Sequence, residues 1–133
     1  MEKCAVILGI SADIGKNICK FYLEDGFRVL GTYRQFSKNI EELLGFKNLT
    51  LFQCDVTKKE DVTKLAEFVN TNKIFWTTFF SSVGTSEPIG RFFSLSFDDW
   101  LNSVNINCLG QMRALHALHK YRAKELIANV IFL

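Results

Sequence analysis

Apolar residues along this chain fall into short unbroken runs, separated by segments in which they recur every three or four positions. The runs are Ala5 to Leu8 (AVIL), Phe27 to Tyr33 (FRVLGTY), Leu49 to Cys54 (LTLFQC), Ile74 to Phe80 (IFWTTFF) and Ala128 to Leu133 (ANVIFL). Continuous apolarity of this length is the pattern of strands buried on both faces. Between the first two runs, Ile14, Ile18, Phe21 and Tyr22 keep helical spacing, which predicts a helix over 14–24, closed by Asp25-Gly26. A weaker helix is expected over 37–44, stopped by Gly45, and another over 59–69. A long one is expected over 98–121, with Ser96 as N-cap and Asp98 and Asp99 in a first turn that favours acids. The segment 81–97 reads as a loop and holds the one proline, Pro88.

Strand and helix alternate throughout, which implies right-handed crossovers and a parallel sheet with helices on both faces. The expected fold class is therefore α/β, doubly wound, three layers α/β/α, with one domain over 1–133. The final run would leave an exposed sheet edge. Its five strands are accordingly read as part of a larger sheet, the domain being cut after the fifth strand; the alternative is a complete small five-stranded domain.

Charge and composition narrow the function. The net charge is only +2 with no basic run, so the electrostatic footprint of nucleic-acid binding is missing. Cys4, Cys19, Cys54 and Cys108 form no C-x-x-C pair and do not cluster with His116 or His119. No metal site or disulfide framework is expected, and free, core-facing thiols suit a reducing, cytoplasmic setting. No segment reaches the ~20 apolar residues of a membrane span, so no membrane partner is expected. His116 and His119 read as surface or interface residues. Leu101, Val104, Leu109, Met112, Leu115 and Leu118 read as a core stripe of the long helix.

Candidate chemistry begins where the first run ends, at Leu8-Gly9-Ile10-Ser11-Ala12-Asp13-Ile14-Gly15. Gly9 would permit a sharp exit from the strand, and Gly15 close packing of helix on strand. Amides near Ile14 would face outward at a helix N-terminus, which suits an anion. The spacing is G-x-x-x-x-x-G, and a plain strand-to-helix turn with Asp13 as N-cap would also account for it. The second strand ends Gly31-Thr32-Tyr33-Arg34. In a dinucleotide fold this end meets the adenosine ribose; an acid would bind the 2′-hydroxyl of NAD, an arginine the 2′-phosphate of NADP. Arg34 stands there and no acid does, so NADP is expected over NAD, unless Arg34 is merely a solvated surface residue.

Taken in order, these segments resemble the N-terminal, cofactor-binding half of the short-chain dehydrogenase/reductase family, whose glycine turn lies over Gly9, Ser11, Asp13, Ile14 and Gly15. The middle glycine of that turn is replaced by Asp13, expected to turn its carboxylate away and cap the helix. "CDVTKKEDV" resembles the segment after the third strand and carries the adenine contact to Asp55 and Val56. Ser81-Ser82-Val83-Gly84 lies over the family's N-N-A-G, with Ser82, Val83 and Gly84 as cofactor contacts beside Tyr33 and Arg34. "NINCLG" carries the asparagine of the catalytic network to Asn107.

The resemblance implies a Rossmann fold and an NADP-dependent oxidoreductase moving hydride to or from a small carbonyl or alcohol. It also implies a homo-oligomer through the 98–121 helix. The family's serine and Tyr-x-x-x-Lys are not found; Tyr121 has a lysine three positions on, at Lys124. The chain by itself is expected to be inactive. A non-catalytic nucleotide-binding sensor or regulatory module is the alternative, and a doubly wound domain without dinucleotide a third reading.

Overall fold

The computed structural model describes residues 2–133. Five parallel strands form one sheet in the order β3-β2-β1-β4-β5. They are β1 (Cys4–Leu8), β2 (Arg28–Tyr33), β3 (Leu49–Gln53), β4 (Thr78–Ser81) and β5 (Asn129–Phe132). The connecting helices are α1 (Asp13–Glu24), α2 (Lys38–Glu41), α3 (Lys59–Thr71), α4 (Phe97–Val104) and α5 (Gln111–Leu118). β1 pairs with β2 from Cys4↔Arg28 to Leu8↔Thr32 and with β4 from Ala5↔Thr78 to Leu8↔Ser81. The strand order reverses beside β1, so β1 and β4 splay their connections to opposite faces and leave a crevice at their carboxyl ends.

Burial on both faces explains the apolar runs of β1, β2 and β4, whereas β3 is only partly buried and β5, at the sheet edge, is exposed along its length. Val6 and Leu8 point into a core with Leu30, Leu65, Trp76, Phe79 and Leu118. Ala5 and Ile7 point the other way, into a core with Ile10, Cys19, Val29, Ile40 and Phe80. The period-2 alternation of β1 thus feeds two layers of helices, α3 and α5 on one side and α1 and α2 on the other. This is the doubly wound three-layer α/β/α Rossmann fold.

Three expected elements differ. The fourth strand is displaced from 74–80 to Thr78–Ser81. Ile74 and Trp76 are apolar because they plug the sheet's lower end. Trp76 makes a lone bridge with Arg122, its indole Nε1 donates to the Leu118 carbonyl at 2.8 Å, and its amide donates to Tyr121. The second helix shortens from 37–44 to Lys38–Glu41, followed by single turns such as Leu43 N–H to the Ile40 carbonyl. The long helix is not one α-helix: a six-residue π-turn, Asn105–Gly110, separates α4 from α5, and a 3₁₀ turn at His119–Tyr121 follows.

The π-turn also breaks the core stripe, of which only Leu118 is fully buried. A wider turn changes the phase of every residue after it, and α5 buries Gln111, Ala114 and Leu118. Leu115 packs only at the edge of the core. Leu109 and Met112 are about half exposed, at 53% and 49%, and so are Leu101 and Val104 ahead of the turn, at 52% and 51%, on α4, which buries none of its residues.

All four cysteines are free; Cys4, Cys19 and Cys54 are buried and Cys108 is exposed. Burial pushes all three buried thiols up to about 12, with the carboxylates of Asp61 and Asp55 adding to the effect at Cys54. Only thiolates react with alkylating reagents. At pH 8 the folded chain is expected to take up one equivalent of a maleimide, at Cys108, and the other three only in denaturant. Rapid labelling of a second cysteine without denaturant, read by mass spectrometry, would contradict this packing.

Candidate functional site

The glycine turn is tied down from three directions. Gly9 leaves β1 with φ +83°, and the amides of Gly9 and Ile10 both donate to the Thr32 carbonyl at 3.0 Å. A side chain is disfavoured at that φ. Ser82 Oγ lies within hydrogen-bond distance of the carbonyls of Leu8 (3.0 Å) and Gly9 (3.1 Å), joining the ends of β4 and β1. Gly15 presses onto this joint: a Cβ there would stand 2.0 Å from the Gly9 oxygen and 2.6 Å from Ser82 Oγ.

Asp13 does not cap α1 as expected. The N-cap is Ala12, no side chain bonds the helix start, and Asp13 is the first helical residue. Its carboxylate accepts instead from Asn39 Nδ2 at 2.9 Å, and the same nitrogen donates to the Ser11 carbonyl at 3.0 Å. Ser37 Oγ reaches that carbonyl too, at 3.1 Å. The sequence around Asn39 thus explains the acid: it is drawn sideways against α2, where it still benefits from the positive end of the helix. The first amides of α1 keep no side-chain partner, and an α-helix leaves its first N–H groups without intrahelical acceptors.

A cleft of about 500 Å³ opens above the carboxyl ends of β1, β2, β3 and β4. It brings together Gly9 and Ser11 from the glycine turn, Tyr33 at the end of β2 and Arg34 just after it, Asp55 and Val56 from the turn after β3, and Ser82, Val83 and Gly84 after β4. Asp13, Ile14, Gly15 and Asn107 do not line it. Gly15 is buried behind the turn, whereas the Ile14 side chain is 57% exposed. The cleft also uses residues that sequence reasoning did not single out. Thr32, Cys54, Thr57 and Thr85 neighbour predicted residues; Glu87 arrives from the loop, Asp99 and Asn102 from α4 and Ile106 from the π-turn, where it stands inside the NINCLG segment next to Asn107.

Arg34 and Asp55 also border a more open polar recess with Lys58, Asp61 and Lys64. Burial pushes the Asp55 carboxyl up, but bonds from the Thr57 hydroxyl (2.6 Å) and amide (3.0 Å), with Lys58 and Arg34 nearby, outweigh it and hold Asp55 below the usual carboxylate range. Asp55 is thus ionised at neutral pH, with Arg34 as the cation on the same rim. Among the described residues, no three His, Cys, Asp or Glu side chains gather as metal ligands, and no helix is long and apolar enough to cross a membrane.

Asn107 sits on the π-turn and works from behind the cleft wall. Its Oδ1 accepts from the Thr85 amide at 2.7 Å, while its Nδ2 donates to the Thr85 carbonyl at 3.0 Å and to Ser103 Oγ at 3.1 Å. A side-chain amide that pairs with both backbone groups of one residue fixes that residue's position much as a strand would. Tyr121 and Lys124 lie elsewhere. The Tyr121 carbonyl accepts from Trp76 ahead of β4, at the end of the sheet opposite the cleft.

Known proteins share this fold. The family model that matches the chain is described as enoyl-(acyl carrier protein) reductase and spans residues 9–133. Short-chain dehydrogenase reductase 5 of Arabidopsis thaliana is 21% identical over 129 residues, which are 96% of this chain and 48% of the plant protein. The chain spans about half the length of the curated relatives it matches. Among solved structures, a short-chain dehydrogenase from Streptomyces avermitilis superposes with TM-score 0.87 at 19% identity, over 99% of this chain and 49% of that one. The structure of ElxO with NADP bound gives TM-score 0.84 at 24% identity, over 99% of this chain and 55% of the other. At these identities the superpositions establish the shared fold.

Proposed function

The chain belongs to the short-chain dehydrogenase/reductase family, and from that premise we propose that it holds NADP for an oxidoreductase acting on a small carbonyl or alcohol. One observation carries the reading: the glycine turn, through Gly9, Ser11 and the N-cap residue Ala12 that leads into the uncapped start of α1, lines the same cleft as Arg34. The two features suit the two kinds of phosphate on NADP. Backbone amides of the glycine turn would take the pyrophosphate, because they carry partial positive charge at a fixed place. Arg34 would take the 2′-phosphate through its planar fork. Asp55 and Val56 would flank the adenine, with Tyr33 beside the ribose. Ser82, Val83 and Gly84 would line the far half.

The group's fit rests on the open cleft beside Gly9, where an added side chain would crowd Ser82 and Val83, and on Gly15, whose missing side chain lets α1 close onto the turn from behind. When bound, the nicotinamide supplies or accepts the hydride. Asn107 would then serve by holding Thr85 in the wall beside it. The accompanying proton needs a tuned acid, and no tyrosine in these 133 residues has a lysine four positions on. Turnover is therefore proposed for the whole enzyme, with this chain as its cofactor-binding part. The exposed apolar side chains Phe97, Leu101, Val104, Leu109 and Met112 along α4, the π-turn and α5 are the proposed contact between copies in a homo-oligomer. A cytoplasmic location suits the free thiols.

Hydrogen exchange with and without NADPH tests the proposal. Amides 10–16 and 83–85 are expected to slow on NADPH addition, while those of α3 keep their rates. Protection confined to surfaces away from the strand ends would contradict it.

A further inference from the structure

Polar groups, of which Gln111 and Ser81 are buried, connect the π-turn to both walls of the cleft. Gln111, the first residue of α5, is buried; its Nε2 donates to the Asn107 carbonyl and its Oε1 accepts from Ser81 Oγ at the end of β4. Asn107 in turn holds Thr85 by both backbone groups. Two residues after Gln111, Arg113 Nη1 donates to the Val56 carbonyl at 2.8 Å. Gly110 lies so close to this second wall that an added Cβ would meet Val56 Cγ2 at 2.8 Å. Neither Gln111 nor Arg113 lines the cleft.

The chemistry gives each link its purpose. A π-turn disrupts the regular helical ladder, and the Gln111 amide engages the Asn107 carbonyl. Ser81 is short and buried at the strand end, so its hydroxyl needs a partner that the strand itself does not supply. Gln111 satisfies both groups at once, which fixes the π-turn against β4. Arg113 brings a charged donor to a carbonyl in the turn after β3, a strong class of hydrogen bond.

We infer that the π-turn sets the width of the cleft through two positioning residues, Gln111 for the Thr85 wall and Arg113 for the Val56 wall. The choice of ligands in its test rests on the cofactor reading above; the placement of the walls does not.

The experiment uses the full chain with Gln111→Met or Arg113→Met, changes that keep length and remove polar ends. Hydrogen exchange at Thr85 and Thr57 is measured with the affinities for NADPH and for adenosine 2′,5′-bisphosphate, which carries only the part facing Arg34 and Asp55. Gln111→Met is expected to speed Thr85 exchange and weaken NADPH by about tenfold, leaving the bisphosphate within about twofold. Arg113→Met is expected to speed Thr57 exchange and weaken both ligands equally.

A uniform rise in exchange across β1, β2 and β3, or equal loss of both ligands in Gln111→Met, would overturn the assignment. Should Gln111→Met fail to fold, Ser81→Ala removes one arm of the same link, and unchanged Thr85 exchange there would overturn it. If the unmodified chain bound neither ligand, the cofactor reading would fall, and the exchange pattern alone would decide the positioning roles.

Discussion

Gly15→Ala is expected to abolish NADPH binding and to destabilise the chain, by at least ~2 kcal/mol in a urea titration. The new methyl carbon would sit 2.0 Å from the Gly9 carbonyl oxygen and 2.6 Å from Ser82 Oγ. Neither atom can move cheaply. The Gly9 oxygen belongs to a turn whose amides are bonded to β2, and Ser82 Oγ is held between the carbonyls of Leu8 and Gly9. α1 must therefore lift off β1, which carries its first amides away from the cleft and opens a gap over Cys19 and Ile10. Gly45→Ala is the matched control, since a Cβ there meets nothing within 4 Å. It should leave both readouts unchanged. Wild-type NADPH affinity in Gly15→Ala would mean that the glycine turn is not the anion site.

Arg34→Asp is expected to exchange one cofactor for the other. The Arg34 side chain is exposed on the rim of the cleft and makes no hydrogen bond among the described residues; its backbone carbonyl accepts from Gln53 Nε2 at 3.0 Å, and its charge is one of the weaker influences on Asp55. The fold should therefore survive the change. A charge-assisted hydrogen bond contributes ~1.5–3 kcal/mol, or roughly 10- to 100-fold in affinity. Reversing the charge adds repulsion of the 2′-phosphate, so NADPH binding should fall by at least about 100-fold. NADH should bind more tightly than before, because an acid at this place can accept from the 2′-hydroxyl. Parallel fluorescence titrations with NADPH and NADH measure both effects. An NADPH affinity that does not fall would remove Arg34 from the cofactor site.

The layers of the fold were legible because β1 and β2 are buried on both faces, and that requirement is written as unbroken apolar runs. The same rule misplaced β4. Ile74 and Trp76 are buried like strand residues, yet Trp76 spends its indole N–H on Leu118 and its backbone on Tyr121 and Ala123. Burial alone does not distinguish a ladder from a plug. The π-turn was invisible for a related reason: sequence periodicity assumes 3.6 residues per turn, and Asn105–Gly110 departs from it. The apolar positions after it therefore point to other neighbours than a continuous helix predicts.

At the site, the residues adjoining strand ends were readable, since a parallel sheet places its strands' carboxyl ends together. Gly9, Arg34, Asp55, Val56 and Gly84 meet on one cleft for that reason. Asp13 was misread locally. An acid at a helix start has two stabilising options, a cap or a neighbour, and Asn39 on a distant segment decided between them. Glu87 reaches the cleft on a loop whose course no short pattern encodes, and that course also places α4 with Asp99. Gln111 carries a trace in retrospect: a polar side chain amid apolar neighbours, facing a strand end that has serine where the family has asparagine.

The most direct test of the account is the affinity of the unmodified chain for NADPH and for NADH, measured side by side by calorimetry at one ionic strength. The account predicts saturable binding of one NADPH per chain, tighter than NADH by roughly 10- to 100-fold. Equal affinities would contradict the role of Arg34, and no binding of either would contradict the cleft as a dinucleotide site.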